Sequence, residues 1–198
     1  MNTVIIKYNA GNIRSVLFAL ERLGVEAEVT DDPEKIRHAS HVIFPGVGEA
    51  SSAMRYLHEH GLAEVIRKLK QPVLGICLGM QLLCDSSEEG ETACLGIFPQ
   101  RVLKFRNEEN KERRKIPQMG WNTIAGLKGP LFEGLDENEY VYFVHGYYAE
   151  LSAYTTAQTN FILGYSAALQ KDNFYAVQFH PEKSGAAGER ILRNFLRI

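Results

Sequence analysis

Two segments of the chain hold residue types able to make and break acyl bonds. In "PVLGICLGMQLL" (residues 72–83), Cys77 stands between two glycines where an apolar run gives way to helical spacing. In "YAVQFHPEKS" (residues 175–184), a β-rich run ends in His180, Pro181 and Glu182, so an imidazole and a carboxylate leave one strand together, separated by a residue of fixed φ. A thiol attacks as its thiolate and needs a lowered pKa, a nearby base and access to substrate. At a strand-to-helix turn, Cys77 is the cysteine counterpart of a nucleophile elbow, with the amide of the next residue, Leu78, helping to bind an oxyanion. Taken alone, that turn equally fits a packed, inert thiol. His180, taking the thiol proton and returning it to a leaving amine, and Glu182, fixing the imidazole tautomer, turn it into a hydrolytic triad. A second oxyanion donor must come from a neighbouring loop. "FPGVGEA" (residues 44–50) follows a predicted strand, and its Gly48 is the candidate.

These residues need a frame that brings strand ends together. "TVIIKY" (residues 3–8) reads as a strand, and "IRSVLFALERLG" (residues 13–24) as a helix closed by Gly24. The alternation continues with "EAEV", a Pro33-led helix, "HVIF" (residues 41–44), helical stretches between Ser51 and Leu69, "PVLGI" (residues 72–76) and a helix from about Gly79. Repeated alternation predicts an α/β fold: a mostly parallel open sheet covered by helices on both faces. Beyond Leu95 the texture changes to "RVLKF", "YVYFVHGYY", "FILGYSAALQ" and "NFYAVQF", which predicts an antiparallel β extension before a closing helix near "AGERILRNFLRI". The charged stretch "RNEENKERRK" (residues 106–115) reads as a solvated loop or hairpin tip.

Composition narrows the function classes. With 198 residues and 45% hydrophobic content the chain can bury one sizeable core, so residues 1–198 are expected to form a single domain. Twenty-two basic against 24 acidic residues, a net charge of −2, give none of the positive field that nucleic acid requires. No signal segment and no bilayer-spanning run is read, so a soluble, cytoplasmic protein without membrane attachment is expected. Three cysteines, Cys77, Cys84 and Cys94, form no C-x-x-C pair, so neither a disulfide framework nor a metal site is signalled, and no cofactor is expected.

"GICLGMQLL" with "FHPE" resembles the class I (triad) glutamine amidotransferases, which hydrolyse glutamine to glutamate and ammonia. The resemblance implies their fold, a flavodoxin-like core. "YNAGN" (residues 8–12), "FPGVG" (residues 44–48), "IPQMGWN" (residues 116–122), "YFVHGYY" (residues 142–148) and "FHPEKS" (residues 179–184) narrow it to the glutaminase subunits of imidazole glycerol phosphate synthases. It implies L-glutamine as substrate and, in histidine biosynthesis, a heterodimer partner in the form of a separate cyclase (synthase) subunit; a paralogue feeding another synthase is the alternative. By position, Cys77, His180 and Glu182 match the triad, and Gly48 and Leu78 the oxyanion-forming amides. Gln81 and Glu89 match glutamine contacts, although Glu88 is an equally plausible neighbour. His145 and Gly146 match the segment whose backbone meets the substrate, and Gly146 departs from the Ser or Thr expected there. Asn12, Trp121 and Lys183 match the face toward the synthase, and Gly48 is expected to move on docking.

Overall fold

The computed structural model describes residues 2–9, 11–107 and 113–198. Five short parallel strands make its centre: β1 (Thr3–Ile6), β2 (Ala27–Thr30), β3 (His41–Phe44), β4 (Val73–Ile76) and, from the far end of the chain, a strand over Phe174–Val177. They are ordered β2-β1-β3-β4 with the Phe174–Val177 strand beside β4. Every residue of β1, β3, β4 and the Phe174–Val177 strand is buried, as expected when helices cover both faces. On one face Val4, Ile6, Val42 and Phe44 pack under α2 (Pro33–His38), α3 (Ala50–Glu59), α4 (Leu62–Arg67) and α5 (Leu78–Leu83). On the other, Ile5, Ile43, Leu74 and Ile76 meet α1 (Ile13–Arg22) and α6 (Gly185–Phe195). Each fully buried Val, Leu, Ile or Phe contributes about 1.5–3 kcal/mol, so this double-sided core anchors the strand ends that carry the chemistry.

The helix starts follow local chemistry. Asp32 accepts from the Glu34 amide ahead of Pro33, and the Glu49 side chain accepts from the amides of Ser51 and Ser52.

The extension is antiparallel, as expected, except that the short Ser86–Ser87 strand runs parallel to Arg101–Lys104. Two short strands, β5 (Ser86–Ser87) and β6 (Thr92–Ala93), are followed by β7 (Arg101–Lys104), β8 (Gln118–Ile124), β9 (Glu139–His145), β10 (Tyr147–Ala149), β11 (Thr155–Asn160), β12 (Gly164–Lys171) and the Phe174–Val177 strand, β13. The sheet continues from β13 through β12, β10, β7, β5 and β6, with β11 pairing β12. The strands differ from the sequence reading in several places. "FILGYSAALQ" becomes a strand only from Gly164, because Phe161–Leu163 close the β11–β12 turn through an amide-to-carbonyl bond of 3.2 Å. The polar strand β11 and the strand β8, interrupted by Gly120, carry too little apolar alternation to be read. β8 and β9 form a separate two-stranded sheet. Residues 108–112 of the charged stretch lie outside the described residues; at its base Asn107 and Arg114 exchange two hydrogen bonds of 2.9 and 3.1 Å.

Candidate active site

β4 ends at Ile76 and α5 begins at Leu78, so the chain must reverse within one residue, and that residue is Cys77 with φ 53° and ψ −107°. A positive φ on a non-glycine residue costs on the order of 1–3 kcal/mol and persists only where the surroundings enforce it. They do so by close packing: a Cβ on Gly79 would lie 1.8 Å from the Phe44 carbonyl oxygen, and the Cys77 amide is fixed to the Val177 carbonyl at 2.8 Å. The Cys77 side chain is thereby aimed at the end of β13, where His180 and Glu182 emerge.

His180 is 1% exposed and its Nδ1 lies 2.7 Å from Glu182 Oε1. The carboxylate holds Nδ1 as a donor, which leaves Nε2 for the thiol. Burial alone would lower the imidazole pKa; hydrogen bonds to Cys77 and Glu182, and the charges of both, outweigh it and push it upward. Cys77, His180 and Glu182 are thus brought together as the spacing predicted. Asn12 joins them: its Nδ2 donates to Glu182 Oε1 at 2.5 Å and lies 3.4 Å from His180 Nδ1. Although Asn12 holds the cap position of α1, its side chain makes no cap bond. Glu182 Oε2 is buried without a hydrogen-bond partner among the described residues.

The oxyanion pair is not assembled in the undocked chain, where the sequence reading expected Gly48 to be out of place until docking. The Leu78 amide donates to the Gly46 carbonyl at 3.2 Å and is therefore occupied. The loop group facing it belongs to the Gly46–Val47 peptide rather than to Gly48, and it presents an acceptor. Which way a peptide faces within a glycine-rich loop has no signature in residue types.

A cavity of about 210 Å³ opens beside the thiol, lined among others by Gly48, Cys77, Leu78, Gln81, Glu89 and His145. Gly146 lines it too. Gln81 Nε2 donates to the Tyr147 carbonyl at 3.2 Å and to Gln178 Oε1 at 2.9 Å. Glu89 Oε2 accepts from the Ala50 amide at 2.8 Å; burial, and to a smaller extent the charge of Glu49, raise its pKa against that hydrogen bond, so an incoming ammonium group would stabilise its charged form. Glu88 is turned away, bound to the Lys104 amide at 2.7 Å and to Arg106 at 3.0 Å, and of the two glutamates it is Glu89 that lines the cavity. Burial is the main cause that holds the His145 pKa down to about 4, so this ring is neutral; it bonds the Tyr147 carbonyl at 2.6 Å and the Tyr165 hydroxyl at 3.0 Å. A Cβ on Gly146 would meet nothing nearer than Pro117 at 3.9 Å, so a Ser would fit.

Gln178 was missed by sequence reading. It is fully buried, and its Nε2 donates to Cys77 Sγ at 3.6 Å. Its spacing of two from His180, which puts both on one side of an extended segment, was the available signal. Trp121 and Lys183 are exposed, Trp121 at 56%, and Trp121 packs edge-on against Tyr142 at 5.8 Å. The Tyr142 carbonyl accepts from the His180 amide at 2.9 Å, so the sheet bearing Trp121 is tied directly to the triad segment. Asn12 is half-buried against the triad.

A cysteine elbow, a His-Glu pair at the adjacent strand end and a small cavity that presents Gln81 and Glu89 define a thiol-dependent amide hydrolase. Residues 4–198 match the family model described as glutamine amidotransferase class-I, and the chain belongs to that family. Imidazole glycerol phosphate synthase subunit HisH of Bacteroides fragilis is 59% identical over 198 residues, covering all of both chains. The protein of the same name from Haemophilus influenzae is 44% identical over 197 residues, covering 99% of this chain and 97% of that one. Among solved structures, a putative GMP synthase subunit from Thermoplasma acidophilum shares the fold with a TM-score of 0.73 at 21% identity, over 100% of this chain and 93% of that one.

Proposed function

We propose that residues 1–198 form one glutaminase domain, the ammonia-producing subunit of an imidazole glycerol phosphate synthase, acting in the cytoplasm beside a separate cyclase subunit. The observation that carries the chemistry is the Cys77 elbow facing His180, whose Nδ1 is held by Glu182 at 2.7 Å. His180 takes the thiol proton as Cys77 Sγ bonds to the side-chain amide carbon of glutamine, and the C=O electron pair moves to oxygen. Collapse of that adduct breaks the C–N bond, His180 returns the proton to nitrogen, and ammonia leaves a glutamyl thioester. Water, deprotonated by His180, then releases glutamate and the thiol. Glu89 offers a charge to the substrate ammonium, and the cavity has room for one amino acid.

The occupied Leu78 amide accounts for a resting state. With the Gly46 carbonyl at 3.2 Å, the oxyanion site holds an acceptor where a donor is needed. Rotation of the Gly46–Val47 peptide releases Leu78 N–H and brings the Val47 N–H to the same place, a change that docking of the cyclase subunit favours through the face bearing Trp121 and Lys183. The test is glutamine hydrolysis by this chain with and without a cyclase subunit carrying its own ligand. A low basal rate strongly raised by the partner is expected; a fast, partner-independent rate refutes the coupling. A cyclase that turns over with ammonium at raised pH when Cys77 is replaced supports the ammonia-donor role, and an obligatory need for glutamine refutes it.

A further inference from the structure

Tyr8 and Gly11 touch the oxyanion loop at the two flanks of the peptide that blocks Leu78. The Tyr8 hydroxyl donates to the Pro45 carbonyl at 2.6 Å in a buried setting, and the Gly11 amide donates to the Val47 carbonyl at 3.3 Å. Between these two held carbonyls lies the Gly46–Val47 peptide, whose own carbonyl accepts from Leu78. The contact at Tyr8 is close: a Cβ on residue 46 would lie 2.1 Å from the Tyr8 hydroxyl oxygen, so the phenol occupies the space a side chain at 46 would take. The ring rests on Phe44 with centroids 5.2 Å apart, and burial keeps the phenol protonated by raising its pKa far beyond its ordinary value. Tyr8 does not line the cavity beside Cys77.

We infer that Tyr8 is a positioning residue for the oxyanion loop: its hydroxyl, by fixing the Pro45 carbonyl, holds Gly46 with its carbonyl on Leu78 N–H and so sets the low activity of the undocked subunit. This rests on the glutaminase reading of the Cys77 site. Deleting the hydroxyl frees the residue-45 carbonyl, weakens the support of the resting arrangement, and leaves the docked arrangement, which the partner imposes, largely unaltered. A purely structural role would instead lower basal and stimulated rates together.

The experiment is Tyr8→Phe in the full chain, which keeps the ring on Phe44, assayed for glutamine hydrolysis with and without the liganded cyclase subunit. Basal kcat is expected to rise about fivefold, the effect of one neutral hydrogen bond, with KM for glutamine and the stimulated rate near those of the parent. A second measurement needs no catalysis: amide exchange at Leu78 in the undocked protein, slow in the parent, is expected to accelerate in Tyr8→Phe. Basal and stimulated rates both unchanged, or falling in proportion, with Leu78 exchange unaltered, would overturn the role of Tyr8 alone. A parent protein inert toward glutamine even with the partner would overturn the function of the site, and the role of Tyr8 with it.

Discussion

Cys77 differs from the other two thiols in its company. Cys84 and Cys94 are buried, and burial raises both pKa values, that of Cys94 to about 12, so neither supplies a thiolate near neutrality. Cys77 instead meets His180 and receives an N–H from Gln178, whose Oε1 is in turn held by Gln81. That donor holds the sulfur in place for attack. Gln178→Leu is therefore expected to lower kcat/KM about tenfold with the fold retained. An unchanged kcat/KM would remove Gln178 from the account. Asn12 donates to the same Glu182 oxygen that orients His180, so Asn12→Asp sets two carboxylates against each other. A loss of at least about a hundredfold in kcat is expected with the fold retained, and a small effect would make the 2.5 Å contact incidental.

The strand-turn-helix units were legible because hydrophobic pattern and punctuation agreed: "HVIF" is β3 residue for residue, and Gly75 and Gly79 bracket the elbow where close packing requires them. Gly79→Ala is accordingly expected to destabilise the protein by at least about 3 kcal/mol in denaturant unfolding, because its Cβ meets a backbone carbonyl that cannot swing aside. What stayed illegible depends on contacts between distant segments. β11 is polar, and its pairing partner β12 decides it. Gln178 acquires meaning only when β13 lands beside β4, and Asn12, which the resemblance placed at the partner face, is brought onto Glu182 only by the fold. The β8–β9 sheet exposes Met119, Trp121 and Tyr140 and bonds through Tyr142 to the His180 backbone. Trp121→Ala and Lys183→Ala are expected to lose partner stimulation while basal turnover persists; full stimulation in both would move the docking face elsewhere.

Over the molecule as a whole, a double-sided sheet holds two strand ends, β4 and β13, side by side, and the chain's first and last segments meet there. Burying a neutral histidine in such a frame has a pH signature. His145 titrates near 6.5 in the unfolded chain and near 4 when folded, so the folded protein binds fewer protons between those values. Stability therefore falls as pH drops from about 6.5 to about 4, by up to about 3 kcal/mol from this residue. His41, buried with neither ring nitrogen paired among the described residues, has its pKa lowered by burial and acts with the same sign. Thermal unfolding of His145→Gln across this range should show a shallower dependence than the parent, and equal slopes would contradict the assignment. The central claim is that one thiol, served by His180 and Glu182, hydrolyses glutamine. It is tested most directly by glutamate release from the complex of Cys77→Ala with the liganded cyclase subunit, compared with the parent complex. A loss of at least about a thousandfold, with partner binding intact, is the predicted result; turnover comparable to the parent would contradict the triad.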